Sequence, residues 1–217
     1  MKQAVIFDLD GTLLNTLGDL RAATNHALAV RGLASRSMDE IRHFVGNGIR
    51  LLICRAMPEG TPDAEIDAAL DDFKAYYAAH IHDRTVPYDG IPQLLNALRK
   101  RGIKVAVLSN KIDSASQELI RYFFPGKTDV VFGEHVGVPR KPDPTSCRMV
   151  MQQLDVQPEQ VLYVGDSGTD MQTAKNAGLY AVGVTWGFRS REVLTENGAD
   201  VLVDSPEQIL QIIDSKL

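Results

Sequence analysis

The chain has 217 residues, 44% of them hydrophobic and 24% charged, and a formal net charge of -5. These values describe a globular protein with one large domain or a domain with an insert, and the acidic balance excludes a basic field for nucleic acid or an anionic bilayer. No apolar run approaches transmembrane length.

In chain order, Ala4-Val5-Ile6-Phe7 reads as a short strand buried on both faces, as in a parallel sheet. Met1-Lys2-Gln3 before it is followed by too few apolar residues for a signal peptide, so a cytoplasmic protein is expected. The strand stops at Asp8 because a carboxylate does not stay in a core unpaired, and Gly11 allows the chain to turn just beyond. From Thr16 to about His82 the pattern is helical. Leu17, Leu20, Ala23, Ala27 and Leu28 give one apolar face, and Ile41, Phe44 and Val45 end a second helix. Gly46-Asn47-Gly48 interrupts the pattern, Ile49 to Met57 resumes it, and Pro62 opens a last helix with Ile66, Leu70, Phe73 and Tyr77 on one side. This stretch is expected to be an all-helical insert, residues 16–83, in an α/β core made of 1–15 and 84–217.

Beyond Gly90 the chain alternates helix and strand. Strands are expected at Ile103–Leu108, Asp129–Phe132, Val161–Val164, Tyr180–Val184 and Ala199–Val203, with helices between the first four of them, the third of these helices carrying Ala174 and Ala177 and closing at Gly178, and a last helix from Pro206. The second strand should end at Ser109-Asn110-Lys111. Asp143 is expected to cap a helix with Pro144 at its first position, which leaves Lys141 just outside. Repeated units of this kind imply a doubly wound parallel sheet with helices on both faces. Cys54 and Cys147 fall in helix-like stretches and read as small core residues of a reducing compartment.

Four groups therefore converge on the carboxyl edge of one sheet: Asp8 with Asp10, Ser109-Asn110, Lys141, and Asp166 with Asp170. Each has an ordinary explanation alone, as a turn acid, a strand-end hydroxyl, a surface lysine or a helix N-terminal acid. Together they are chemically complementary. Several carboxylates at one edge need a cation, and few protein ligands beside an anionic substrate suit Mg2+. A hydroxyl, backbone N–H groups and a lysine suit a phosphoryl group.

With these motifs in place the chain resembles phosphatases of the haloacid dehalogenase superfamily. The matching residues are Asp8-Leu9-Asp10-Gly11-Thr12, Ser109, Lys141-Pro142, and Gly165-Asp166-Ser167 with Asp170. Val45-Gly46-Asn47-Gly48, Lys141-Pro142-Asp143-Pro144 and Thr185-Trp186-Gly187-Phe188 point to the phosphoglycolate phosphatase-like group. The resemblance implies a Rossmann-like core with a helical cap and an aspartyl-phosphate formed on Asp8. Asp10 would act as acid and then base, protonated beside an anionic neighbour. Mg2+ would bind the Asp8 carboxylate, the Asp10 carbonyl oxygen and Asp166, with Asp170 holding its waters or orienting Lys141. Lys141, Ser109 and the Asn110 N–H would take the phosphoryl oxygens, and Thr12 would support the first loop. Gly46, Asn47 and Gly48 are the cap candidates for substrate contact. Arg42 and Arg50 could meet an anionic substrate tail, and Trp186 and Phe188 could border the site. The implied partner is a small phosphorylated metabolite, and the chain a monomer or homodimer. Alternatives are phosphatases of a sugar phosphate, nucleotide or pyrophosphate, and a phosphomutase. A receiver-type signalling domain is disfavoured by the helical insert and by Asp10.

Overall fold

The computed structural model describes residues 2–215 and divides into two compact units, Asn15–Val86 and the described chain on either side of it. Met1, Lys216 and Leu217, which the expected core boundaries include, lie outside the described residues.

Strand β1 (Ala4–Phe7) is buried along its whole length and ends one residue before Asp8. A two-residue strand, β2 (Leu14–Asn15), leads out of the larger unit. Asn15–Val86 then holds four helices, α1 (Leu17–Ala29), α2 (Met38–Phe44), α3 (Ile49–Ala56) and α4 (Asp63–His80). Helices α1 and α4 pack along each other, and Leu20, Ala23, Ala27, Ile66, Phe73 and Tyr77, the periodic apolar residues of the sequence, are buried. Ser37 and Glu40 form a capping box that starts α2. Asp19 is fully buried; its Oδ2 accepts from the Arg84 and Thr85 N–H groups and the Thr85 hydroxyl, at 3.0, 2.8 and 2.8 Å, and the Arg84 guanidinium lies 3.5 Å from its Oδ1. The chain returns through β3 (Val86–Pro87).

The larger unit continues with α5 (Ile91–Lys100), β4 (Lys104–Ile112), α6 (Asp113–Phe123), β5 (Val130–Glu134) and α7 (Thr145–Leu154). It closes with β6 (Val161–Gly165), α8 (Gly168–Ala177), β7 (Tyr180–Val184), α9 (Arg191–Glu196), β8 (Val201–Val203) and α10 (Pro206–Asp214). Six strands form one parallel sheet in the order β5-β4-β1-β6-β7-β8. Alternate residues face opposite sides of a sheet. Ala4, Ile6, Ala106, Leu108 and Tyr163 join Val150, Leu154, Met171 and Ala174 of α7 and α8 in one core. Val5, Phe7, Val105, Val107 and Val164 are equally buried and face the other side, where α5 and α10 pack together. Each fully buried Val, Ile or Phe contributes roughly 1.5–3 kcal/mol. The winding direction reverses between β1 and β6, and in such sheets the crevice for ligands opens beyond the carboxyl ends of the strands at that reversal.

Three details differ from expectation. Strand β4 runs through Ser109-Asn110-Lys111 to Ile112, with a register shift between Leu108 and Ile112. Its polar end stays in the sheet because each of those side chains has a partner. Helix α7 begins at Thr145 with Pro144 as its N-cap, although Asp143 Oδ1 still accepts the Thr145 N–H at 2.8 Å. Helix α9 had no visible signal, being a single short segment of six residues. Both cysteines are free, and burial pushes the Cys147 thiol up to about 12. No helix among the described residues is long and apolar enough to cross a membrane.

Candidate active site

Asp8 follows β1 and Asp166 follows β6, on the two strands that flank the winding reversal. Asp170 sits in the first turn of α8, where Ser167 caps the helix and donates its N–H and hydroxyl to Asp170 Oδ2 at 3.1 and 2.6 Å. Lys141 precedes α7 and is 5% exposed. Its ammonium donates to Asp170 Oδ1 at 2.7 Å and to the Leu108 carbonyl at 3.0 Å, and lies 3.0 Å from Asp8 Oδ1. The Lys141 backbone is clamped by one side chain: its N–H donates to Asn110 Oδ1 at 2.9 Å and its carbonyl accepts from Asn110 Nδ2 at 3.2 Å. Asn110 thus acts through its side chain, a role the sequence did not suggest.

One oxygen from each of Asp8, Asp166 and Asp170 lies within 4.8 Å of the others, and all three residues are buried. Burial and Asp170 raise Asp8 to about 7, against the pull of Lys141. Burial, Asp170 and Asp8 likewise hold Asp166 well above the carboxylate range, although the Phe188 N–H and Arg189 oppose the shift. Burial works against the Lys141 charge, yet Asp170 and Asp8 keep it well above its ordinary value. Of these three buried carboxylates Asp8 and Asp170 share the Lys141 ammonium, and Asp8 Oδ1 has no hydrogen bond of good geometry. This set fits a divalent cation with hard oxygen ligands.

The sheet edge shapes the rest. Asp166 Oδ2 accepts the Phe188 N–H at 2.7 Å, and Thr12 Oγ1 reaches Asp166 Oδ1 at 3.4 Å. The Trp186 indole donates to the Thr12 carbonyl at 3.0 Å, so the Trp186–Phe188 segment does border the site. Thr12 therefore supports the first loop and Asp166 together. A Cβ on Gly11 would lie 2.2 Å from Asp166 Oδ2, and one on Gly187 would lie 2.2 Å from Asp166 Cβ. Gly11 also sits at φ +88°, where other residues are strained. Gly11→Ala is therefore expected to cost about 1–3 kcal/mol and to displace Asp166. Thermal unfolding and Mg2+ titration check this, and wild-type behaviour in both would contradict it.

The Asp10 carboxylate is not part of the Asp8–Asp166–Asp170 cluster, and both its oxygens accept from Lys111 Nζ, at 3.0 and 3.1 Å. It also lies near enough to Asp8 to help raise that acid, so Asp10 faces a cation as well as an anion. Ser109 is buried, and its hydroxyl accepts the Lys111 N–H at 3.2 Å. Gly46, Asn47 and Gly48 belong to the helical unit. There Gly46 and Gly48 take φ of +115° and +88°, and Arg55 donates to the Phe44 carbonyl and to Asn47 Oδ1 at 2.8 and 3.3 Å. Arg42 is ion-paired with Asp39, and Arg50 with Asp63 and Asp67.

The sequence profile of a family described as haloacid dehalogenase-like hydrolase matches residues 5–184. The chain belongs to that family. A phosphoglycolate phosphatase of Pseudomonas putida is 34% identical over 220 residues, covering 97% of this chain and 79% of that protein. An N-acetylmuramic acid 6-phosphate phosphatase of Pseudomonas aeruginosa is 33% identical over 218 residues, covering 99% and 96%. A crystal structure from Lactobacillus delbrueckii subsp. bulgaricus, provisionally named a phosphoglycolate phosphatase, superposes with a TM-score of 0.92 at 36% identity, covering 98% and 99% of the two chains. The chain is thus a phosphatase of the haloacid dehalogenase family, similar to phosphoglycolate phosphatases, and its buried aspartates could bind a divalent metal.

Sequence reasoning missed Lys111, Tyr163 and the Phe188 N–H. Tyr163 donates to Asp170 Oδ1 at 3.3 Å from mid-strand, where its ring reads as core. A backbone donor carries no sequence signal. Lys111 did leave one: it stands two residues after Ser109 on the same strand, hence on the same face.

Proposed function

We propose that this chain hydrolyses a small phosphomonoester with Mg2+ through an aspartyl-phosphate on Asp8, and that phosphoglycolate is the first substrate to test. The observation that carries the reading is the buried Asp8–Asp166–Asp170 cluster with Lys141 inside it. An Asp8 oxygen attacks phosphorus as the bond to the leaving oxygen breaks. The electron pair goes to that oxygen, which takes a proton from Asp10. Asp10 then accepts a proton from water, whose oxygen attacks phosphorus and breaks the bond to Asp8, releasing inorganic phosphate. Lys141, Ser109 and the Asn110 N–H hold the phosphoryl oxygens, and Thr12 supports the first loop. Asp8, the Asp10 carbonyl and Asp166 would hold Mg2+. Asp170 would reach its waters, or would serve by orienting Lys141, which its 2.7 Å contact favours. When bound, Mg2+ neutralises charge on the phosphoryl group.

Residues 1–15 with 84–217 carry the chemistry in this reading, and 16–83 choose the leaving group through Gly46, Asn47 and Gly48. The protein would work in the cytoplasm as a monomer or homodimer. Relatives of nearly equal identity are named for different phosphate esters, which supports leaving the choice of substrate to the helical unit. The test is phosphate release from phosphoglycolate, N-acetylmuramic acid 6-phosphate, sugar phosphates, nucleotides and pyrophosphate. Turnover should fall to background on chelation, return with Mg2+, and not return with Ca2+, which demands more ligands at longer distances. Undiminished turnover after chelation would remove the metal from the reading, and turnover of no ester would remove the phosphatase.

A further inference from the structure

We infer that Lys111 is a positioning residue that fixes the Asp10 carboxylate for its transfer of a proton to the leaving oxygen. The inference rests on the acid role proposed for Asp10. The Lys111 side chain is 2% exposed and that of Asp10 14%, and the ammonium meets both carboxylate oxygens, at 3.0 and 3.1 Å. Lysine is almost never buried unless it is paired, because the stem loses rotamer freedom and the ammonium loses its water. What the pair achieves is geometric. A carboxylate held through one oxygen still turns about its last bond, whereas one held through both is fixed in both side-chain torsions.

The same residue joins two parts of the site. Its N–H donates to Ser109 Oγ at 3.2 Å, and its side chain reaches Asp10 from 101 positions away in sequence. The strand end that carries Ser109 and Asn110 and the loop that carries Asp10 are thereby fixed to one another. The Asp10 carboxylate is not one of the three clustered aspartates, and Lys141 is paired with Asp8 and Asp170. A general acid works only within about 2.6–3.2 Å of the oxygen it protonates. Loss of the Lys111 anchor therefore harms the step in which a proton must arrive and spares steps that need none.

The test uses the full chain with Mg2+ and two substrates of nearly the same shape, p-nitrophenyl phosphate and phenyl phosphate. Nitrophenolate departs as the anion, whereas phenolate is far more basic and needs the proton. In Lys111→Met, kcat on phenyl phosphate should fall at least about 10-fold further than kcat on p-nitrophenyl phosphate. Lys111→Gln keeps one N–H donor and should show a smaller gap. In an Asp10→Asn background, Lys111→Met should add almost nothing on phenyl phosphate, since the two residues act as one unit. That double variant also removes both charges, so it reports even where Lys111→Met alone does not fold. Equal falls on the two substrates, or losses that multiply in the double variant, would overturn the inference and make Lys111 a structural ion pair. Asp10→Asn serves as the separate control. If it discriminates between the substrates while Lys111→Met does not, only the role of Lys111 is lost. If it fails to discriminate, the acid role itself falls and takes the inference with it.

Discussion

Asp8→Asn is expected to abolish turnover while making the metal-free protein more stable at neutral pH. The first half follows from the proposed nucleophile: an amide oxygen does not form the acyl phosphate, and loss of such a group costs on the order of 10⁴-fold or more. The second half follows from charge. Burial and Asp170 raise Asp8 to about 7 from its ordinary value of 3.8. A carboxyl raised in the folded state contributes stability that is complete below its unfolded value and lost as pH rises through its folded value. Without metal, the protein should therefore lose stability between about pH 4 and pH 7 because Asp8 is forced to ionise. The Asn variant has the shape of the protonated acid and escapes that loss. The difference at pH 8 is of order a few kcal/mol, which at about 2–4 °C per kcal/mol is several degrees of melting temperature. At pH 5 the gap should nearly close. Saturating Mg2+ should reverse the order, since only the carboxylate binds the cation. Thermal unfolding with chelator at pH 5 and 8, then with Mg2+, reads all three arms. A variant that still releases phosphate, or that melts below wild type at pH 8 in chelator, sinks the assignment.

This balance explains why the site was legible in the sequence. An apolar run that ends in acids, hydroxyls or a lysine marks a strand that leads to water or a ligand; Asp8 and Asp166 stand just past β1 and β6, and Ser109 ends the apolar run of β4, which continues to Ile112. The parallel sheet followed from the same runs, because strands covered on both faces cannot alternate. What stayed hidden was the support of those side chains. The Phe188 N–H on Asp166 and the Asn110 clamp on the Lys141 backbone depend on where separate loops meet. Lys111 was hidden for another reason. A lysine at a strand end is usually solvated, and only its pairing with Asp10 shows why it is buried. Asn47 was legible as a helix break, and its contact with Arg55 accounts for the break within the helical unit itself.

Lys141→Met should cost both stability and catalysis. Among the described residues, the ammonium is the one cation paired with both Asp8 and Asp170. Removing one partner of a buried pair strands the other charge and costs roughly 3–5 kcal/mol. Because Lys141 is held well above its ordinary value, its stabilising contribution is complete below the unfolded value of 10.5 and is lost only as pH rises through the still higher folded value. The deficit of the variant should thus persist from pH 5 to pH 9. It should be smallest at pH 5, where Asp8 can take up a proton and relieve the uncompensated charge, and largest at pH 8 in chelator. Mg2+ should recover part of it. Catalysis has no such relief, since the phosphoryl oxygens lose a fixed positive charge worth about 10²–10³ in rate. Lys141→Arg should not restore turnover. The ammonium donates to Asp170 Oδ1 and the Leu108 carbonyl and lies 3.0 Å from Asp8 Oδ1, in a site 5% exposed. A planar guanidinium is larger, and its fixed fork does not reproduce that placement from the same volume. Urea unfolding at pH 5 and 8 with chelator, together with kcat in Mg2+, checks the argument. A variant as stable as wild type at pH 8, or one that arginine rescues, would mean that Lys141 is not the charge on which the aspartates depend.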